Sequence, residues 1–282
     1  MKIKIKNRTL QKALHNRSIL IGSVMVLIVI FVAIAAPILT PYDVESMDMA
    51  NALQPPGSGH PFGTDQYGRD LMTRIFYGTR ISLIVGFTSV LFSMIIGVFM
   101  GLMSGYYRGW VDGLIGRIID VFLSFPVLLL SIALVAVMGG GGTISVIVSL
   151  CLVSWTQYAR VVRSSVLAIR EEEYVLAART IGASDRRIIF KYIMPNALAP
   201  IIVVATLGIG TAIVSEATLS FMGLGVQPPT PSWGYALSFG LRYMRTAPHM
   251  ATIPGLAIMF TVLGFNLLGN GIRDVFDPRM VS

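Results

Sequence analysis

The chain has 282 residues, 54% hydrophobic and only 13% charged, with a mean hydropathy of +0.73; an ordinary soluble domain carries roughly 25% charged residues, so too little polar surface is present to clothe a water-soluble core and the bilayer is the expected solvent. A net charge of +8 and a pI near 9.8 would suggest nucleic acid in a soluble chain, but here the basic residues flank apolar runs, as orientation signals do. Cys151, the only cysteine, sits in an apolar run, which excludes an internal disulfide and a cysteine metal cluster.

Six apolar stretches are long enough to cross about 30 Å of hydrocarbon at about 1.5 Å per helical residue. The first, Ile19 to Leu39, follows Lys2, Lys4, Lys6, Arg8, Lys12 and Arg17 and contains Ala33-Ile34-Ala35, which is shaped like a signal cleavage site. Its apolar run exceeds the roughly 7–15 residues of a signal core, so a retained helix is expected. A loop from Pro41 to Arg80 follows, holding Asp43, Glu45, Asp48, Asp65 and Asp70. The second span is read as Ile81 to Tyr106. Gly97, Gly101 and Gly105 recur on it every fourth residue, a flat stripe for close helix packing. The third is read as one helix from Ile118 to Met138, with Asp120 paired locally to Arg117. Gly139 to Gly142 make a tight turn, and the fourth span runs from Thr143 to Trp155 and a little beyond, where Gln157 and Arg160 crowd its end.

The chain then turns polar over residues 171–195, EEEYVLAARTIGASDRRIIFKYIMP. Glu171 to Ile181 is rich in helix formers and opens on three acids, suited to a helix amino terminus. Gly182 stands where a left-handed terminating residue is wanted. Ser184 is placed to cap a second helix, with Asp185 in its first turn. Ile188, Ile189, Tyr192 and Ile193 give that helix its apolar residues, and Pro195 closes it. Arg179, Arg186 and Arg187 gather beside Ala177 and Ala178, whose small side chains let another surface approach. Such a bend fits either an amphipathic elbow on anionic lipid or a knob that inserts into another protein.

The fifth span, Ala197 to Phe221, carries Glu216. A carboxylate within a span is costly and often functional, so Glu216 is a pathway candidate; the alternative is that it bonds near the membrane edge to backbone or to Ser215, Thr218 and Ser220. Met222 to Met250, with Pro228, Pro229, Pro231 and Trp233, reads as an ordered outer piece before the sixth span, Ala251 to Gly271. Counting Lys and Arg by segment gives 17 on the side of the amino terminus, the charged bend and the tail, against 5 on the other. The positive-inside rule then places both termini and the bend in the cytoplasm. His15, His60 and His249 are scattered along the chain, a poor pattern for a metal site.

Ala177-Ala178, then Gly182, then Pro195 resemble the EAA loop of ABC importer permeases, which forms the coupling helix that fits a cleft on the ATP-hydrolysing subunit. The resemblance assigns Glu173, Ala177, Ala178, Gly182, Ala183, Ser184, Asp185 and Pro195 to that loop. Leu176 stands where the family has Glu, Tyr192 where it has Ile, and Met194 where it has Leu; either Glu172 or Glu173 supplies the missing charge, or the contact is less polar than in the family. HPFGTDQYGRD (60–70) and LSFMGLGVQPPTPSWG (219–234) resemble outer-face signatures of the peptide/nickel branch, and GIRDVFDPR (271–279) its tail. They single out Thr64, Asp65, Gly68, Arg69, Asp70, Gln227, Pro228, Pro229, Ser232 and Trp233, and are most similar to those of the second, C-type permease subunit.

The resemblance implies an all-α polytopic protein of the type I ABC importer fold, with six transmembrane helices and both termini cytoplasmic. Residues 1–80 would form the tail, first helix and outer loop, and 81–282 a five-helix core. It further implies two ATP-binding subunits, a second related permease, an extracellular or periplasmic substrate-binding protein and a bacterial cytoplasmic membrane, with no nucleic acid. ATP and Mg would be held by the ATPases, since none of the five lysines follows glycine as a phosphate-cradling Gly-Lys-Ser/Thr loop requires. Peptides are the expected cargo, with nickel or metallophore complexes as the alternative. An ion-driven secondary transporter would want carboxylates at mid-membrane, for which Glu216 alone is thin support, and no catalytic motif points to an enzyme.

Overall fold

The computed structural model describes residues 14–276. Lys2, Lys4, Lys6, Arg8 and Lys12 of the basic start, and Asp277, Pro278 and Arg279 of the tail motif, lie outside them. The described chain is helical, with no strand beyond an isolated Thr64–Asp70 bridge. α1 (Arg17–Leu39) opens on Asn16, whose side chain accepts from the Ser18 and Ile19 amides at 2.9 and 3.1 Å. After the loop come α2 (Leu71–Tyr107), α3 (Gly109–Leu123), α4 (Val127–Val137) and α5 (Thr143–Ile169). The short α6 (Glu173–Thr180) leads into α7 (Asp185–Phe221), then α8 (Trp233–Arg242) and α9 (His249–Phe276).

Five of these helices, α1, α2, α5, α7 and α9, are long and apolar enough to cross a membrane. Large apolar side chains such as Leu27, Phe31 and Phe99 point outward, while Ser82, Ser93, Ser104 and Ser149 are buried between helices. That inversion suits a hydrocarbon surround, in which small and hydroxyl residues let helices meet. The glycine stripe does so. A Cβ on Gly97 would lie 2.5 Å from Tyr158 Cβ, and one on Gly101 2.6 Å from the Ala159 carbonyl. α2 and α5 therefore pack backbone to backbone. α1 lies on α9 in the same way: a Cβ on Gly271 would lie 2.8 Å from the Ile19 amide nitrogen. Asn16 reaches Asp274 at 3.5 Å, so the described ends of the chain meet on the side where α2 and α5 end.

Four expectations are corrected. The second span begins ten residues early, at Leu71, because the Asp70 carboxylate accepts from the Thr73 amide at 2.7 Å and starts the helix above the apolar run. The third stretch is not one straight helix: α3 and α4 meet at 89° across Ser124-Phe125-Pro126, so a sixth span exists only as a bent pair. Pro126 starts α4 but, lacking an N–H, does not continue α3. Arg117 and Asp120 are both exposed and form no ion pair with each other; a nearby acid that is paired is Asp112, gripped by Arg163 Nε and Nη2 at 2.6 Å each. Pro195 does not close its helix. Residues Ile188–Ile193 widen into a π turn, with the Met194 amide reaching back to the Ile189 carbonyl, and the backbone passes through the proline into the span. A π turn is rare, and where it occurs it is mostly a single-turn bulge inside an α-helix that continues past it.

Candidate functional site

The elbow between α5 and α7 is built around one glycine. α6 ends with Gly182 at φ +77°, while the Ala183 amide donates to Ala178 O and the Gly182 amide to Arg179 O, both at 3.0 Å. This is the paired-bond helix ending that requires a left-handed residue after the cap. Its roots are buried: Val175, Ile188, Ile189 and Ile193 pack with Leu102, Tyr106, Val162 and Val166 from the ends of α2 and α5. Each such side chain contributes about 1.5–3 kcal/mol when removed from water, so the bend is fastened to the bundle rather than hinged from it.

Tyr106 ties the two arms together. Its hydroxyl donates to Asp185 Oδ1 at 2.6 Å, its ring faces the Arg179 guanidinium at 5.8 Å, and its carbonyl accepts from Arg170 Nη1 at 2.7 Å. Ser184 occupies the capping position of α7, but its side chain makes no capping bond, contrary to expectation; Asp185 is oriented by Tyr106 instead. A hydrogen bond to a charged group contributes about 1.5–3 kcal/mol. Tyr106→Phe should therefore loosen α7 from α2 and lower uptake several-fold at unchanged membrane abundance. Unaltered uptake would show that the brace is dispensable.

The two alanines separate. Ala178 is buried against the bundle, whereas Ala177 faces out with Leu176 and Ile181, the latter 83% exposed. Glu173 lies one turn before Ala177 and so shares its face, which makes it the better placed of the two candidate acids. Arg186, Arg187 and Pro195 are also exposed. The elbow thus presents a small apolar crown with a basic flank, on a base that cannot swing independently.

At the opposite end the first signature folds into a buried knot. The Asp65 carboxylate accepts from Arg69 Nε at 2.7 Å and from the Tyr67 and Arg69 amides at 2.8 and 3.0 Å, with Arg74 Nε at 3.8 Å. Gly68, at φ +71°, lies so close to the Asp48 carbonyl that no side chain fits there. Asp70 caps α2 and meets His60 Nδ1 at 2.9 Å, and the Thr64 carbonyl accepts from His249 Nε2 at 3.3 Å. The two histidines therefore take different partners. Nearby on α8, burial and then Tyr67 push the Tyr235 phenol up, opposed by Arg69 and Arg74.

The second signature splits. Gln227, Pro228 and Pro229 sit on an exposed turn held by Gln227 Nε2 donating to Gly223 O at 2.8 Å. Ser232 and Trp233 are buried, and Trp233 Nε1 donates to Ile75 O at 2.9 Å, joining this piece to α2. Glu216 sits beneath them with 0% exposure. It accepts from Ser220 at 2.7 Å, Ser232 at 3.0 Å and Ser82 at 3.3 Å, while Ser215 and Thr218 bond back to carbonyls of their own helix. Glu216 is a staple between α2, α7 and the α7–α8 loop, not a group on an open surface. Reading the sequence missed Tyr106, Ser82 and the Asp112–Arg163 pair, whose partners lie 79, 134 and 51 positions away.

Residues 93–282 match the family described as binding-protein-dependent transport system inner membrane component, and residues 7–56 match the N-terminal TM domain of oligopeptide transport permease C. The dipeptide transport system permease protein DppC of Alkalihalophilus pseudofirmus is 46% identical over 267 residues, 95% of this chain and 88% of that protein. The glutathione transport system permease protein GsiD of Pectobacterium atrosepticum is 45% identical over 262 residues, 93% of this chain and 87% of that protein. Among solved structures, a chain of the MetNI methionine ABC transporter in an inward facing conformation shares the fold, with a TM-score of 0.60 at 21% identity over 73% of this chain and 98% of that one.

Proposed function

This chain belongs to the inner membrane components of binding-protein-dependent transport systems, the non-catalytic permeases of ATP-driven importers, and from that premise we propose that it forms half of the passage through which peptides enter a bacterial cell. Membership of the family implies ATP-binding subunits and a substrate-binding protein as partners. The finer arrangement is our reading: a second, related permease completes the passage, and two separate subunits bind ATP and Mg. Both termini and the elbow face the cytoplasm of a bacterial cytoplasmic membrane, as the distribution of basic residues favours. Peptide as cargo is supported by the dipeptide and glutathione permeases to which the chain is similar.

The observation that carries the reading is the continuity of the elbow with a span. α6 is locked to the start of α7 by the Gly182 ending and by Val175, and α7 then runs unbroken into the membrane. ATP binding on the partner subunits closes them and displaces the crown formed by Leu176, Ala177 and Ile181. Because the elbow has buried roots, the displacement tilts α7, and the passage that α7 borders opens toward the binding protein. Hydrolysis reverses the tilt.

The test is uptake of a labelled dipeptide by the assembled transporter in liposomes with its binding protein. Uptake is expected to require ATP with Mg inside the ATPase compartment and to persist when ionophores collapse all ion gradients. Uptake that follows an ion gradient and ignores ATP would overturn the proposal.

A further inference from the structure

A cavity of about 210 Å³ with a mixed apolar and polar wall lies between α2, α5 and α7, beside the α3–α4 break, with Leu123 and Val127 on its edge. At about 30 Å³ per water molecule, this is room for a carboxylate and its nearest waters. Two features of its wall are unexplained by folding. Ser89 is 2% exposed, and its hydroxyl has no hydrogen-bond partner among the described residues. A buried hydroxyl left this way is costly unless it serves something in the space it borders. The second feature is Arg160, which lines the same cavity.

Arg160 lies nine residues from the Ile169 end of α5, about 14 Å along the helix. One turn further on, Arg163 is fully engaged by Asp112 through two bonds of 2.6 Å. None of the ion pairs among the described residues includes Arg160, and no Asp or Glu lines the cavity. An arginine inside a spanning helix is retained where it faces water or a ligand, and its planar fork fits a carboxylate.

We infer that Arg160 is a specificity-determining residue of the passage, which receives the carboxylate end of a peptide in this cavity while Ser89 and Gln157 bond its amide groups. The inference rests on the peptide-import reading above and adds to it a charge preference located in the permease.

The experiment uses the complete transporter in liposomes with its binding protein, and trialanine or trialanine amide as cargo. The quantity read is the ratio of variant to unaltered uptake for each peptide, which cancels discrimination by the binding protein. Arg160→Gln should lower that ratio for the free acid by about tenfold or more, the scale of one lost charge-assisted hydrogen bond, and leave the amide much less affected; Arg160→Lys should restore most of the loss. Equal loss for both peptides would overturn the inference, since an arginine serving a lipid phosphate or an acid of the second permease would act that way.

A second measurement needs no charge variant. Gln157→Cys in a Cys151→Ser background should react faster with an anionic than with a cationic methanethiosulfonate, and trialanine should protect it better than its amide. No reaction, no charge preference or equal protection would each overturn the inference. Complete absence of ATP-driven peptide uptake by the unaltered complex would instead sink the proposed function, and the thiol reactivity would still report on the charge in the cavity.

Discussion

Gly182→Val is expected to abolish uptake while leaving the chain inserted and the complex assembled. No neighbour comes within 4 Å of a Cβ built at Gly182, so the substitution meets no steric clash. The penalty lies in the backbone: at φ +77° a β-branched residue is displaced from its allowed conformations, at a cost of at least about 1–2 kcal/mol. The two 3.0 Å bonds that end α6 depend on that conformation, so relief of the strain re-aims α6 relative to α7 and lifts the crown off its base. The membrane-spanning helices are untouched. Gly182→Asn should keep most activity, because asparagine tolerates the left-handed region. The measurement is ATP-dependent uptake normalised to membrane abundance, with ATP hydrolysis followed in parallel. Hydrolysis that continues without responding to cargo is the expected signature of the valine variant. Normal uptake by that variant would remove the elbow from the mechanism.

Glu216→Ala is expected to produce the largest loss of stability. Three serine hydroxyls from α2, α7 and the loop before α8 converge on this fully buried carboxylate. Each one left without an acceptor costs about 1–3 kcal/mol, against a total folding stability of about 5–15 kcal/mol for an ordinary domain. The truncation should lower the thermal transition of the detergent-solubilised complex and expose the 222–232 loop to protease. Glu216→Gln keeps the shape and two acceptor lone pairs, and the hydroxyls can rotate to meet its amide, so most of the loss should be recovered. If the alanine variant melts like the unaltered protein, Glu216 is not a staple and its place in the passage has to be reconsidered.

The parts of this protein that could be read from its sequence are those encoded by neighbouring residues. The first and sixth spans are continuous apolar runs and the fifth is interrupted only by Glu216, and Gly182 is legible because a left-handed helix ending has one favoured residue. The Gly97, Gly101 and Gly105 stripe is legible through its period. Hydropathy misjudged the third stretch because it averages side chains and ignores the backbone; Pro126, in plain view, was the signal for the 89° break. Pro195 misled in the opposite direction, since the rule that proline ends an α-helix does not allow for the π turn beside it. Residues 71–80 carry Arg74 and Arg80 and fall below any hydropathy threshold, although Asp70 is a capping residue that could have marked the start of α2. Glu216 could be flagged as a carboxylate in a span, but Ser82 and Ser232 could not be matched to it, because only the packing of separate helices brings them together.

The crown of the elbow is expected to meet an ATP-binding subunit. Ala177→Cys, in a Cys151→Ser background, puts a single thiol on the exposed side of α6, next to the buried Ala178. A short thiol-to-amine crosslinker applied to the assembled complex in membranes should join this thiol to the ATP-binding subunit, while Ala178→Cys stays unreacted. A thiol at 177 that crosslinks to no protein, and that carries a fluorophore quenched by a lipid-phase spin label, would place the elbow on the bilayer surface and rule out its contact with the ATP-binding subunit.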